Sequence, residues 1–259
     1  FQLFLLPVML FIMLFILLRS TTGKVWESGF CTALFALHPL NVEPVIWLAG
    51  MNVLLEAFFL IITLLLYHAY IQKPSLPRYV LIFPPFFLGL LCKPTTAVLP
   101  LLLICLDYWP FQRLAPISLP LSGLATTVRN NWGKVILEKI PFFLIVALQV
   151  FGQALFSGDT FSSLKTVSFH FHPGALLHFA VFLKNIVYPT DLTICYPPPP
   201  AASMEAAVAV LSGFVFITGF IFWKSRSHKY IIAGWLWFLI TSFPVILMVS
   251  LSGKPVADR

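Results

Sequence analysis

The run VIWLAGMNVLLEAFFLIITLLLY, residues 45–67, constrains this chain more than any other feature. A bilayer core about 30 Å thick is crossed by about 20 apolar helical residues. The run supplies them with Glu56 as its one charge. Similar runs recur along the whole length, so that 59% of the 259 residues are hydrophobic and only 10% are charged. A soluble domain of this size needs more polar cover than that. The sequence therefore predicts an all-α fold, a polytopic transmembrane helical bundle forming one transmembrane domain over 1–259.

Hydropathy divides the chain into about eight spans. They are expected at 1–18, 25–40, 45–70, 79–92, 96–109, 140–156, 205–223 and 230–250. Residues 110–139 read as a longer polar connection. The first run lacks a basic segment before it and a small-residue cleavage site after it, so it is not a signal peptide. The chain opens at Phe1 and closes on PVADR directly after a span, which predicts a piece of a longer protein.

Charge then orients the bundle. Alternating through these spans gathers about eleven basic residues on one side and about five on the other, and the richer side is cytoplasmic. The cytoplasmic set runs from Arg19 and Lys24 through Lys73, Arg78 and Arg113–Lys139 to Lys224, Arg226 and Lys229. A full crossing at 172–188 (HPGALLHFAVFLKNIVY) would carry KSRSHK outside, so this stretch is read as one re-entrant or interfacial helix. The net charge of +7 thus speaks to topology and membrane lipids, not to nucleic acid. The outward face collects HPLNVEP, CKPTT, the segment 157–204 with its YPPPP, and SGKPVADR.

Soluble-enzyme signatures are missing: no phosphate-binding Gly-rich loop, no Gly-x-Ser-x-Gly, no His-Glu-x-x-His. The four cysteines lie scattered in apolar segments without metal-ligand or pairing spacing and read as small buried hydrophobes. Asp107, near the cytoplasmic end of the fifth span, is expected to be solvated at a helix end or paired with Arg113. On the outward face His38 and Glu43 make a possible hydrogen-bonding and acid–base pair. Lys93, held against Pro94, suits a phosphate as a compact point charge, and Lys254 and Arg259 suit it likewise. Against each stands the ordinary reading, a lysine snorkelling to headgroups. An acid and several cations on one face fit an anionic, lipid-linked substrate.

ALFALHPLNVEPVIWLAG, LGLLCKPTTAVLPLLLICLDYWPFQRL, LEKIPFF, YPTDLTICYP and GWLWFLITSFPVI followed by ADR come in a characteristic order. Together they resemble the transmembrane part of the tetratricopeptide-repeat O-mannosyltransferase-like proteins, of the glycosyltransferase C superfamily. The resemblance covers essentially the whole chain. It implies a GT-C-like bundle in the endoplasmic reticulum or bacterial inner membrane. The bundle would move a sugar from a polyprenyl-phosphate donor to a Ser or Thr hydroxyl of a protein acceptor on the lumenal or periplasmic face. A divalent metal is left open. The resemblance places the catalytic carboxylate in an external loop ahead of the first span and tetratricopeptide repeats beyond the last, so no catalytic residue is expected within 1–259. Glu43, Lys93, Asp107, Lys139, Asp258 and Arg259 match its pattern; of these, Glu43, Lys93, Asp258 and Arg259, with His38, are the donor- or acceptor-site candidates. Two positions depart from it. Gly50-Met51-Asn52 stands where a charged cluster is usual, and an apolar residue near Val181 replaces an Arg. These departures favour the alternative, a non-catalytic membrane anchor that presents repeats to partner proteins.

Overall fold

The structure, a computed structural model, describes residues 2–46, 50–114, 132–156, 173–189, 204–225 and 228–252. Every regular element among them is helical. In chain order they are α1 (Gln2–Thr22), α2 (Val25–Leu37), α3 (Val42–Ile46), α4 (Met51–Gln72), α5 (Leu76–Val80), α6 (Phe83–Cys92), α7 (Leu99–Tyr108), α8 (Ile140–Phe156), α9 (Pro173–Val187), α10 (Met204–Lys224) and α11 (Lys229–Ser252). Short 3-10 turns at Pro39–Asn41 and Pro94–Val98 join α2 to α3 and α6 to α7.

Among the described residues four helices are long and apolar enough to cross a bilayer: Leu5–Thr22, Met51–Gln72, Trp132–Gln153 and Met204–Lys224. Their outward faces are apolar as well. Leu5, Val8, Ile12 and Ile16 of α1, and Val208, Val215 and Phe220 of α10, are all exposed at helical spacing. Soluble proteins rarely leave contiguous apolar faces of this kind open to water, whereas hydrocarbon solvates them without penalty.

Proline sets the lengths of the others. Pro77, Pro84, Pro94 and Pro100 each fall in the first turn of a helix, where the missing N–H is one that no helical carbonyl needs. The stretches expected as spans at 79–92 and 96–109 fall in two apolar helical segments, Leu76–Cys92 and Pro94–Tyr108, with Lys93 between them, each shorter than the four helices above. The sixth span expected at 140–156 is found as α8, with further helix ahead of it. A helical segment at 132–137 leads through a turn at Glu138 and Lys139 into α8, so apolar helix begins inside what reads as a polar connection.

The core forms around α4. Its Ile61, Leu64 and Tyr67 lie on one face and meet Leu10 and Leu17 of α1, Phe86 and Leu90 of α6, Leu99 and Leu103 of α7, and Phe142 of α8. α9 packs on α10, and α11 lies along α7. Gly89 of α6 faces Thr96, whose methyl would sit 3.3 Å from an added Cβ, so the two short helices approach closely at the Lys93 end.

The outward turn after α2 is built from its own side chains. His38 Nδ1 accepts the N–H of Leu40 at 3.2 Å, and the Asn41 amide donates to the carbonyl of Phe35, closing α2. Gly50 opens α4 against α3. A Cβ there would stand 2.9 Å from Pro44 Cα and 3.1 Å from its carbonyl oxygen, both backbone atoms. Gly50→Ala must therefore push α3 off α4 and is expected to destabilise the protein by about 1–3 kcal/mol, as overpacking does. Thermal unfolding in detergent micelles reads this directly, and an unchanged midpoint would show that the turn yields freely.

Candidate functional site

Polar side chains in this bundle collect at two levels of α4. Glu56 lies near its start and Tyr67 near its end, about 16 Å apart at 1.5 Å per residue.

The first level holds Lys93. As the last residue of the α6 turn it has extended backbone (φ −156°), and its N–H closes on the Gly89 carbonyl at 3.0 Å. Pro94 then forbids continuation of the helix and begins the 3-10 turn. This places Lys93 Nζ 4.0 Å from Glu56 Oε2. The Glu56 carboxylate also takes hydroxyl donors: Thr95 Oγ1 on Oε1, and Thr96 Oγ1 on the same oxygen at 3.1 Å. Thr96 also lies 3.2 Å from the Gly89 carbonyl and has one proton to share between the two acceptors. Glu56 is thus fixed from one side by two threonines, while the Lys93 side chain keeps 31% of its surface open. A cation braced by a carboxylate but reachable from outside can receive an anion. Among the described side chains the acid that meets Lys93 is Glu56.

His38 is held by backbone groups on both sides. With Nδ1 accepting from Leu40, the proton belongs on Nε2, which lies 3.0 Å from the carbonyl oxygen of Ile186 near the end of α9. Both ring nitrogens are therefore engaged by backbone, and His38 ties the outward turn to α9. Glu43 lies on α3, two residues after Asn41 ends the turn; its side chain is outside the described residues, as are Asp258 and Arg259.

The second level carries four charges. Asp107 at the end of α7 is fully buried, and so is Lys139. Lys139 Nζ lies 2.8 Å from Asp107 Oδ2, and Arg113 Nη1 lies 3.2 Å from Oδ1. Arg113 Nη2 donates to Glu138 Oε1 at 2.9 Å, and the Tyr70 hydroxyl donates to the same oxygen at 3.2 Å. Tyr67 sits at the centre. Its hydroxyl has one proton, shared toward the two Asp107 oxygens at 2.8 and 2.7 Å. It accepts from Arg113 Nη1 at 3.0 Å and from Lys139, which fills its two acceptor positions. Two acids and two bases leave the cluster neutral.

The backbone reinforces it. After α7 the chain folds back so that the N–H groups of Arg113 and Leu114 both point to the Asp107 carbonyl, at 2.8 and 3.3 Å. Burial opposes charge on Arg113, but the hydrogen bond to Glu138 and the Asp107 carboxylate outweigh it. Together they raise the guanidinium pKa above its ordinary value. Arg113 is therefore a permanent cation here. The Asp107–Arg113 pair agrees with the pairing expected from sequence. Lys139, expected in a polar connection, is instead buried, because helix on both sides of the Glu138–Lys139 turn carries it under α4. Sequence reasoning missed Tyr67 and Glu138 as parts of one cluster; their only signal was polar residues at the same end of adjacent apolar runs.

The two levels differ in what they can do. The inner cluster is neutral, and its Asp107 and Lys139 are fully buried. Arg113 and Glu138 at its edge stay partly open, and Glu138 Oε2 is held by ion-pair contacts alone. The cluster's chemistry is thus that of a clamp between α4, α7 and the turn before α8. The level at Lys93 is open and carries a cation that an incoming anion can reach. Among the described residues no three His, Cys, Asp or Glu side chains converge as a metal site would require. Comparison with protein-family models, with curated proteins and with solved structures gives no match to this chain.

Proposed function

We propose that this chain is the membrane core of a glycosyltransferase. It would move a sugar, mannose or another hexose, from a polyprenyl-phosphate donor to a protein Ser or Thr hydroxyl on the lumenal or periplasmic face. The observation that carries this reading is Lys93: a partly open cation at the tip of two short apolar helices, braced by Glu56. A lipid-linked phosphate needs a positive charge at the membrane boundary with apolar helix beneath it, and Lys93 meets both conditions. In this reading the bundle is GT-C-like with about eight spans, and α9 is a re-entrant or interfacial helix. At 15 residues it is about 22 Å long, short of the bilayer core. The membrane in this reading is that of the endoplasmic reticulum or the bacterial inner membrane.

The reaction is a single displacement with inversion. A carboxylate in a loop ahead of Phe1 takes the proton of the acceptor hydroxyl. The hydroxyl oxygen bonds to the anomeric carbon as the bond from that carbon to the phosphate oxygen breaks, and the electron pair leaves on the phosphate. Lys93 stabilises the charge that develops there. Glu43 lines the acceptor side. The test is transfer of labelled mannose from polyprenyl-phosphate mannose to a Ser/Thr peptide by the full-length protein in proteoliposomes. Wild type is expected to transfer, and Glu43→Gln to slow transfer at least tenfold; the absence of transfer from any polyprenyl-phosphate hexose overturns the assignment.

A second reading, a non-catalytic anchor presenting repeats to partner proteins, is favoured by Gly50-Met51-Asn52, an uncharged stretch beside Glu43. A folded full-length protein that binds its partners but transfers no sugar supports it.

A further inference from the structure

The turn QKPSLPR between α4 and α5 holds a cavity of about 330 Å³, lined by Leu66, Ala69, Gln72, Lys73, Arg78 and Leu81. That volume lies at the low end of small-ligand sites, about 300–1,000 Å³. It suits a headgroup and not a whole lipid. The lining is two cations and an amide over leucine and alanine, with no acid.

Elsewhere among the described residues of the bundle some cations have a carboxylate beside them and others do not. Lys24, Lys93, Arg113 and Lys139 each lie within 4.0 Å of a carboxylate. Lys73 and Arg78 have no acidic partner among the described residues. Arg78 is nevertheless held in place. Its Nη1 reaches the Lys73 carbonyl at 3.2 Å and the Ala69 carbonyl at 3.5 Å, capping the end of α4. This covers the partial negative charge that a helix C-terminus presents, which would otherwise repel an anion. The rest of its guanidinium fork stays free, and the Lys73 ammonium is free beside it. Pro74 and Pro77 stiffen the turn that sets the two cations five residues apart.

The surroundings are those of a membrane boundary. Leu81, which lines the cavity, is 54% exposed, and Leu76 and Val80 of the adjoining α5 are exposed at 75% and 54%. Water solvates such a rim poorly; acyl chains solvate it well. The positive-inside distribution puts the turn on the cytoplasmic side, where anionic lipids attract basic residues near the surface by about 1 kcal/mol each.

We propose that this cavity binds the phosphate of an anionic phospholipid of the cytoplasmic leaflet, between Lys73 and Arg78, with the acyl chains against Leu76, Val80 and Leu81. The site is independent of the reaction proposed above and lies at the opposite end of α4 from Lys93.

Native mass spectrometry of the detergent-purified full chain tests it, with phosphatidylglycerol, phosphatidylcholine and inorganic phosphate as probes. Wild type is expected to retain one phosphatidylglycerol about tenfold more strongly than phosphatidylcholine, and excess inorganic phosphate is expected to leave it in place. Lys73→Gln breaks no bond of the fold and is expected to remove most of that preference; Arg78→Gln is expected to remove it as well, with some loss of stability through the lost cap. Equal retention of the two lipids by wild type, or undiminished preference in Lys73→Gln, overturns the proposal. Displacement of the lipid by inorganic phosphate at equal concentration overturns the lipid part of it and leaves a simple phosphate site.

Discussion

Lys139→Met lowers the stability of this protein by about 3–5 kcal/mol, the usual result of removing one partner from a buried ion pair. The methionine fills the space of the lysine stem, so packing changes little. What changes is Asp107, fully buried, which loses its 2.8 Å partner and keeps only the Tyr67 hydroxyl and Arg113 at 3.2 Å. Asp107→Leu is expected to cost a similar amount, because Lys139 is then buried beside Arg113 with only Glu138, 3.8 Å away, to oppose it. The double variant Asp107→Leu/Lys139→Met is expected to recover about 2–3 kcal/mol of the summed losses. It removes both charges and leaves Arg113 with Glu138. Unfolding in micelles by heat or denaturant measures all three. If the single variants unfold like wild type, the cluster does not clamp α4 to α7, and the charges are solvated in the native membrane.

How much of this was legible in the sequence depends on distance along the chain. Apolar runs announce helices, since each run needs only its own residues to form one. Their lengths are harder to read. The break at Lys93-Pro94 is legible, and the apolar stretches at 79–92 and 96–109 are found as helices on either side of it. Hydropathy, however, runs straight through Pro84 and Pro100 and does not show that a proline in the first turn sets where an α-helix starts. Asp107 and Arg113 are six residues apart around a helix end, close enough to pair by inspection. Tyr67 lies 40 residues before Asp107, and Lys139 lies 72 after Tyr67. No local rule links such positions; only the packing of α4 against α7 and the turn before α8 brings them together. The same holds outside. Lys93-Pro94 marks itself as a helix break, but its acid, Glu56, is a turn and a half into another helix, and nearer in sequence to Glu43 than to Lys93. His38, read from sequence as a hydrogen-bond partner for Glu43, has its two nitrogens at the carbonyl of Ile186 and the N–H of Leu40. The first of these contacts, with a residue far along the chain, follows from no local rule.

Lys93→Ala, in the transfer assay, is expected to lower kcat/KM for the polyprenyl-phosphate donor by about 10²–10³-fold, the scale of losing one group aimed at developing charge. The loss alone does not separate a phosphate contact from a structural one, because Lys93 also ends α6. Glu56→Gln makes the distinction by its sign. Glutamine keeps an oxygen for the Thr95 and Thr96 hydroxyls, so the threonine contacts survive while the negative charge beside Lys93 is gone. At 4.0 Å and with both side chains partly open, that pair is worth about 0.2–1 kcal/mol. An incoming phosphate competes with Glu56 for the same ammonium. Removing the competitor should therefore lower the donor KM, by up to about fivefold, with kcat held or reduced as Lys93 becomes less firmly placed. A structural lysine predicts the reverse: Glu56→Gln loosens Lys93 and raises KM alongside Lys93→Ala. If the two variants move donor KM in the same direction, Lys93 is a brace for the helix junction and the phosphate must be held elsewhere.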